Sequence, residues 1–396
     1  MANVSGGSYR FSIPVPMMSE IRIGVVGTGY IARHFMMSLD SHDGYAAVRV
    51  LTRRDPGGIS GFPEGIITNS IDDFVSAIDI AVEATGDPIW ATEVVAACVD
   101  ANLPVVTMDT EFHITCGSAF ADSGLVTEAE GDQPGSLAAL HEDAVAMGFE
   151  PLVYGNLKGF FNPDPTPEEM QYWGERQGFS IEKVTSFTDG TKVQAEQILV
   201  ANHFGATIAE EGMLGASVAS IDEGAQLLAE TAHRVGQPIS DFVVSRAFPH
   251  GVFIVATHDE RQAEALANVK MGPGPYYTLL KHDTFVHLEI LKAIKRMLET
   301  GKPLLTNSSA PTLSLAAVAK RDLAPGHRID HAFGSFDLRG HAVRIAEHPD
   351  HVPMGLLSSA VIEELIERNE VPTFEKVSVP DSAGLGAWRA GHIQGT

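Results

Sequence analysis

A chain of 396 residues, 44% of them apolar, exceeds what one hydrophobic core holds, which points to two or three globular domains. Its 51 acidic against 27 basic residues give a formal charge of -24, a field that repels nucleic acid and anionic membrane surfaces. No stretch approaches the roughly 18 consecutive apolar residues of a membrane span, no secretory pattern opens the chain, and Cys98 and Cys116 alone give neither a disulfide framework nor a thiolate metal site; a cytoplasmic, reducing location is expected.

Residues 1–19, with Ser5, Gly6, Gly7, Ser8, Pro14 and Pro16, carry turn chemistry without a period and read as an extended arm. From Glu20 short apolar runs alternate with helical patterns, as in βαβ units. Strands are predicted at Ile21–Val26, Ala47–Leu51, Ile78–Ala84 and Val105–Met108, with helices at Ile31–Leu39, Ile71–Ala77 and Trp90–Ala101. A further unit follows, with a helix over Gly135–Met147 and a strand at Pro151–Tyr154.

Beyond it the pattern changes. Thr166-Pro167-Glu168-Glu169 reads as a capping box opening a helix to Gln177. Helices follow at Thr191–Phe204, Asp222–Val235 and Leu288–Thr300, with strand-like runs at Gly251–Thr257 and Tyr276–Leu280. From Leu313 to about Val379 short apolar runs broken by Gly, Pro, Asp and His read as a small β-rich unit. The fold class is α/β: a Rossmann doubly wound parallel sheet over 20–155, an α+β catalytic and oligomerisation domain over 156–305, and a β-rich domain over 306–396.

Gly27-Thr28-Gly29-Tyr30-Ile31-Ala32 stands directly after a strand and opens a helix. Gly27 permits the tight turn, Gly29 lets the backbone approach a pyrophosphate, and Ala32 allows close helix-on-strand packing. The second strand ends in Leu51-Thr52-Arg53-Arg54, without the acid that holds the ribose of NAD. Thr52 can bond a 2′-phosphate and Arg53 or Arg54 can neutralise it, which favours NADP; the alternative is that both arginines are solvated surface charges. Ala84-Thr85-Gly86 ends another strand where a nicotinamide ring would lie, and Asp109 and Glu111 face the same crevice.

Asp189, Lys192, Glu196 and His203 are spaced by three, four and seven residues, as on one stripe of a helix. A lysine there can protonate a carbonyl oxygen as a hydride arrives, with Asp189 and Glu196 orienting it or holding a divalent cation such as Mg or Mn. The competing reading is a solvated face with a Lys192–Glu196 surface pair. Lys158, in Gly155-Asn156-Leu157-Lys158-Gly159, is a second candidate cation. The pairs His282 and His287, His327 and His331, and His348 and His351 lack a helical metal-binding spacing and read as surface or packing residues.

Nearly the whole chain resembles homoserine dehydrogenase-like oxidoreductases with a C-terminal SAF domain, a family that includes deoxyxylulose-phosphate reductoisomerase-like enzymes of isoprenoid biosynthesis. The resemblance rests on Gly27–Ala32, Glu83–Pro88, Gly131-Asp132-Gln133-Pro134, Gly155–Gly159, Ser186–Glu196, Pro249-His250-Gly251-Val252-Phe253, Gly274-Pro275-Tyr276-Tyr277 and Ala319-Lys320-Arg321-Asp322-Leu323-Ala324-Pro325-Gly326. It implies a self-associating enzyme, a homodimer or higher oligomer, acting on a small molecule, with Asp132, Lys158, Asp189, Lys192 and Glu196 lining the pocket. One departure bears on substrate: where related chains read Tyr-Arg-Pro-Tyr-His, this one reads Leu280-Lys281-His282-Asp283-Thr284. The expected activity is NADP-dependent reduction or oxidation of a sugar or polyol phosphate. A metal-independent hydroxyl dehydrogenase of the homoserine type and an NADP-binding sensor without turnover remain open.

Overall fold

A computed structural model describes residues 20–248 and 250–393, so the expected arm over residues 1–19, and Pro249 of the Pro249–Phe253 segment, lie outside the described residues. The first sheet has six strands, β1 (Ile21–Val26), β2 (Tyr45–Leu51), β3 (Ile67–Thr68), β4 (Ile80–Glu83), β5 (Val105–Thr107) and β6 (Val126–Glu128). They lie in the order β3-β2-β1-β4-β5-β6 and every neighbouring pair is parallel. This is the doubly wound Rossmann order. Ile23, Val25, Val26, Ile80 and Val82 are fully buried, as strands covered on both faces must be.

Helices α1 (Tyr30–Leu39), α2 (Ile71–Ala77), α3 (Pro88–Asp100), α4 (Thr110–Thr115) and α5 (Gln133–Ala146) connect or follow these strands. Asp87 caps α3 and Asp109 caps α4 by accepting from the free amides of the first turn. Cys98 and Cys116 are buried and unpaired, and burial pushes both thiols up to about 12.

The second sheet contains β7 (Glu150–Lys158), β8 (Ala216–Ser217), β9 (Ile239–Val244), β10 (Gly251–Thr257) and β11 (Tyr277–Lys281), ordered β11-β10-β7-β9-β8. The segment expected as the last strand of the first sheet is the front of β7, which pairs antiparallel with β10 and parallel with β9. The actual sixth strand, Val126-Thr127-Glu128, has a single apolar residue and therefore gave no strand signal. Around this sheet lie α6 (Pro167–Gln177), α7 (Ile181–Thr188), α8 (Thr191–Phe204), α9 (Ile221–Val235) and α10 (Ala263–Asn268). The next helix, α11 (Ile290–Thr300), returns to the first sheet, where Ile290, Ile294 and Met297 share a core with Ile23, Val25 and Ile80. The sheets therefore exchange chain in both directions. A linear division at 155 does not reveal this.

The C-terminal region holds β12 (Leu313–Ala319) paired antiparallel with β13 (Leu338–Arg344), a small pair β14 (Val361–Ile362) and β15 (Val377–Ser378), and α12 (Ala383–Ile393). It closes over α8, whose residues from Val193 to Asn202 are all buried. Thr191 accepts from the Gly340 amide at 2.8 Å, and Gln194 donates to the Gly340 carbonyl at 3.1 Å while accepting from the Ala342 amide at 2.8 Å. A side chain at 340 would meet Thr191 backbone at 3.1 Å, so glycine is what lets β13 come this near.

Deeper in the same contact, Lys320 Nζ donates to Asp189 Oδ2 at 2.8 Å and to the Ser335 carbonyl at 2.6 Å. Lys320 and Asp189 side chains are 3% and 0% exposed. Among the described residues no helix is long and apolar enough to cross a membrane.

Removing one member of a fully buried ion pair leaves an uncompensated charge, which costs about 3–5 kcal/mol. Asp189→Ala is expected to lower folding stability by that order, and adding Lys320→Met to restore much of it. Urea midpoints of the two variants check this; equal losses in both would mean the pair is not coupled.

Candidate active site

The C-terminal ends of β1, β4, β5 and β6 open on one crevice, the place where doubly wound sheets bind their ligands. At its floor, β1 ends in the glycine turn. Gly27 has φ +107°, and a Cβ there would meet the Ala84 carbonyl at 2.9 Å, so the turn holds β1 against the end of β4. At Gly29 a Cβ would meet nothing within 4 Å, and no side chain caps α1. The first amides of α1 therefore face open space with positive partial charge, as a pyrophosphate requires. Ala32 is fully buried beneath this turn.

The two arginines separate. Arg54 Nη2 donates to Thr28 Oγ1 beside the glycine turn, and its amide donates to Thr52 Oγ1 at 3.2 Å. Arg53 instead pairs with Asp87 at 2.6 Å and lies over the Trp90 ring at 4.8 Å. Arg33, which sequence reading passed over, donates to the Thr28 carbonyl at 3.1 Å and sits over Phe62. Thr28, Thr52, Arg54 and Arg33 thus form the basic corner at the end of β2. Tyr30 is half exposed, with its ring tilted against that of His34 at a centroid distance of 4.0 Å, and Ile31 packs against the first-sheet core.

Glu83 staples the ends of β4 and β5: one carboxylate oxygen accepts from the Thr85 amide and the other from the Thr107 hydroxyl, both at 2.7 Å. This fixes Ala84, Thr85 and Gly86 along the crevice. Burial pushes the Glu83, Asp109 and Glu128 carboxyls up. Glu128 Oε2 lies 3.5 Å from His113 Nε2, and burial, followed by His203, pushes this histidine down to about 3. Asp109 Oδ2, Glu128 Oε2, both His113 ring nitrogens and Asn156 Oδ1 are buried without hydrogen-bond partners among the described residues.

Lys192 stands at the centre, 13% exposed. Its Nζ is 3.3 Å from Glu111 Oε2, 3.4 Å from Asp132 Oδ2 and 4.0 Å from Glu196 Oε1, carboxylates supplied by α4, the N-cap of α5, and α8. Burial alone would lower its pKa; Glu111, Asp132, Glu196 and Glu128 overcome that and hold it well above the usual lysine range. Burial would likewise raise Glu111, yet Lys192, its own backbone amide and Asp109 bring it below the usual range.

The second lysine behaves oppositely. Lys158 ends β7, its carbonyl accepts from the Ser245 amide at 2.9 Å, and its side chain makes no hydrogen bond or ion pair with the described residues. Burial lowers its pKa, with Lys192 adding to the effect against the pull of Glu196, Asp132 and Asp189. Glu196 accepts from Asn156 Nδ2 at 2.8 Å, and burial, with Asp132 reinforcing it, pushes its carboxyl up to about 7. Asn156, two residues before Lys158, was missed as a residue that orients Glu196. The glycine-flanked segment containing it was the available signal.

The expected stripe is only partly built. Lys192 and Glu196 come together in a buried helix, so the solvated-face alternative does not hold. Asp189 precedes α8 as the C-cap of α7, and its oxygens are taken by Lys320 and the Thr191 amide. His203, at the far end of α8, bonds the Thr306 carbonyl at 2.9 Å. Asp189 and Glu196 therefore do not combine around a divalent ion, and among the described residues no group of three or more His, Cys, Asp and Glu is placed to hold one. Glu111, expected against the cofactor, is spent on Lys192. Lys281, in the departing segment after Tyr277, pairs with Glu130 at 3.2 Å and Glu289 at 3.1 Å.

Residues 131–290, which include Asp132, Lys158, Lys192 and Glu196, match the family described as the catalytic domain of oxidoreductase DRL. No curated protein matches the chain. Among solved structures, a probable dehydrogenase from Thermotoga maritima is similar at 12% identity and TM-score 0.40, over 72% of this chain and 90% of that one. A myo-inositol dehydrogenase from Corynebacterium glutamicum aligns at 14% identity and TM-score 0.40, over 72% and 90% of the two chains. A UDP-N-acetylglucosamine 3-dehydrogenase from Acidithiobacillus ferrooxidans aligns at 11% and 0.41, over 73% and 92%. The chain is an oxidoreductase with a Rossmann-type sheet.

A carboxyl whose folded pKa lies above its unfolded value of 4.5 favours the folded state in its protonated form. That contribution is complete below about pH 4.5 and is lost as pH rises through about 7. Glu196→Gln removes it, so the stability difference between variant and wild type is expected to shift in favour of the variant across this window. Chemical denaturation at several pH values measures the shift; a difference independent of pH would contradict the raised carboxyl.

Proposed function

We propose that this oxidoreductase uses NADP to interconvert a carbonyl and a hydroxyl group of a sugar or polyol phosphate. The carrying observation is the pair of lysines in one crevice whose surroundings push them apart, Lys192 held charged by three carboxylates and Lys158 depressed by burial and left unpaired. Groups with opposed shifts at one site mark a division between electrostatic and proton-transfer roles.

The dinucleotide fits the chain at three points: the sterically required turn at Gly27, the open approach at Gly29, and the basic corner of Arg54, Thr28 and Thr52. Arg54 supports NADP over NAD because a guanidinium can form paired hydrogen bonds to the 2′-phosphate and no carboxylate stands at the end of β2. The bound coenzyme supplies or accepts the hydride. In the reducing direction Lys192 polarises the substrate oxygen, and the Lys158 ammonium gives its Nζ proton to that oxygen as negative charge develops. Glu196, poised near neutrality between the two lysines, returns a proton to Lys158. Asn156 holds Glu196 in place through the 2.8 Å hydrogen bond.

The residues do not fit a divalent ion at Asp189 and Glu196, since each is committed to another partner, and no step is routed through one. A reductoisomerase of the deoxyxylulose-phosphate type would need more than this set of groups provides.

NADPH oxidation across a panel of sugar phosphates and hydroxyaldehydes, with and without magnesium or manganese, tests the reading. Lys158→Met is expected to reduce turnover by about 100-fold or more while coenzyme binding is unchanged. Near-normal turnover in both Lys158→Met and Lys192→Met would refute the assignment, and NADPH binding without turnover on any substrate would favour a sensor. Arg54→Ala is expected to weaken NADP binding by about tenfold and leave NAD binding near its original level. An equal loss for both coenzymes would place Arg54 outside the 2′-phosphate site.

A further inference from the structure

Asp132, one of the three carboxylates on Lys192, lies in the turn that joins β6 to α5. Its Oδ2 reaches Lys192 at 3.4 Å, while its Oδ1 accepts from the Gln133 amide at 3.0 Å and caps α5. A carboxylate on a turn is only as well placed as the turn itself. Here the turn is pressed by the segment leading into α11. Gly131 has φ +117° and its carbonyl accepts from the Val286 amide at 3.0 Å. A Cβ at this position would overlap the Val286 carbonyl oxygen and lie 3.0 Å from Glu289 Cβ, so glycine is what lets the two segments meet.

Lys281, the last residue of β11, closes this brace. An ammonium has three N–H donors, and those of Lys281 go to Glu130 Oε1 at 3.2 Å, Ser136 Oγ at 3.2 Å and Glu289 Oε1 at 3.1 Å. Glu130 precedes Asp132 and Ser136 follows it, and the Ser136 amide also donates to the Asp132 carbonyl at 3.0 Å. Lys281 therefore spans the turn and fastens it to the start of α11. Lys292 bonds the same two carboxylate oxygens, Glu289 Oε1 at 2.9 Å, but its side chain is 55% exposed against 23% for Lys281. Glu130 and Glu289 are 15% and 8% exposed. Without Lys281 these two acids would share one solvent-screened cation, and their repulsion would push the turn away from α11.

We infer that Lys281 is a positioning residue, which holds Asp132 against Lys192 by bracing the Gly131–Asp132 turn. This rests on the reading of Lys192 above and names what sets one of the charges around it. The ionisable groups that bear on Lys192 are Asp109 and Glu111 from α4 and its cap, Glu128 from β6, Asp132, Lys158 from β7, and Glu196 from α8. Glu111, Glu128 and Glu196 ride on regular elements, whereas Asp132 rides on a turn and depends on the brace. The segment Leu280–Thr284, in which this chain departs from related ones, thus acts on the site through the protein, by way of Lys281, without touching substrate.

The test uses the full-length protein and needs neither coenzyme nor turnover. Acetic anhydride acylates the free amine of a lysine, and peptide mass spectrometry reads the labelling of Lys192 relative to the exposed Lys183 at one alkaline pH. Asp132→Asn is expected to raise the relative labelling of Lys192 by about tenfold, since a carboxylate this near favours the ammonium by about one pKa unit or more. Lys281→Met is expected to raise it by about threefold or more in the otherwise unchanged protein and to add nothing once Asp132→Asn is present. Lys281→Arg, which keeps the charge, is expected to stay near wild type, and Lys281→Gln carries the test if the methionine variant does not fold. The inference is overturned if Lys281→Met leaves the labelling unchanged, if it raises it equally with and without Asp132→Asn, as general loosening would, or if Lys281→Arg labels as fast as Lys281→Met. No effect of Asp132→Asn would overturn the three-carboxylate reading of Lys192 itself, and this inference with it, which is a distinguishable result.

Discussion

The ammonium of Lys192 is the charge around which the two sheets are assembled. Its partners come from three places: Glu111 from α4 behind the first sheet, Asp132 from the start of α5, and Glu196 from the same helix one turn on. Ile114 of α4, Leu137 and Ala138 of α5, and Val193 and Ile198 of α8 pack in one apolar core, and against that packing the three carboxylates in this largely buried crevice would repel without the lysine. With it, each acid offsets part of the cost of burying the cation, and the cation offsets part of theirs. The result is a rigid meeting point between the strands that can hold a dinucleotide and the helix that can hold a substrate.

The same low-dielectric setting acts on the other ionisable groups of the crevice. Glu83, Asp109 and Glu128 are buried near one another, and burial drives their carboxyls toward the protonated form. His113 beside Glu128 is kept neutral for the same reason. The crevice thus shifts its ionisable groups in opposite directions, with Lys192 held charged, the buried acids pushed up, and Glu196 brought to about 7. Proton movement at a carbonyl oxygen needs a group that titrates near the working pH.

The C-terminal region is part of this arrangement. The buried Lys320–Asp189 pair and the bonds between Gly340, Ala342 and α8 make the first turn of α8 a joint property of two distant stretches of chain. A helix so enclosed cannot shift to relieve the repulsion between Glu196 and the acids Glu111 and Asp132 that face it. That fixity keeps Lys192 in place.

The sequence by itself determined the elements with strong local chemistry. The glycine turn, the capped helix at Thr166, and the ends of α2, α6, α8 and β10 were legible because periodicity, capping and steric demands act within a few residues. It also brought Lys192 and Glu196 together, because four residues on a helix are neighbours wherever the helix lies. Only the tertiary structure decided that α8 is buried rather than solvated, that β7 belongs to the second sheet, and that Val126–Glu128 is the sixth strand. It alone gave Asp189 to Lys320, 131 residues away, and separated Arg53 from Arg54 by partner. Long-range pairing of charges depends on which surfaces the packing brings face to face, and no spacing along the chain encodes that.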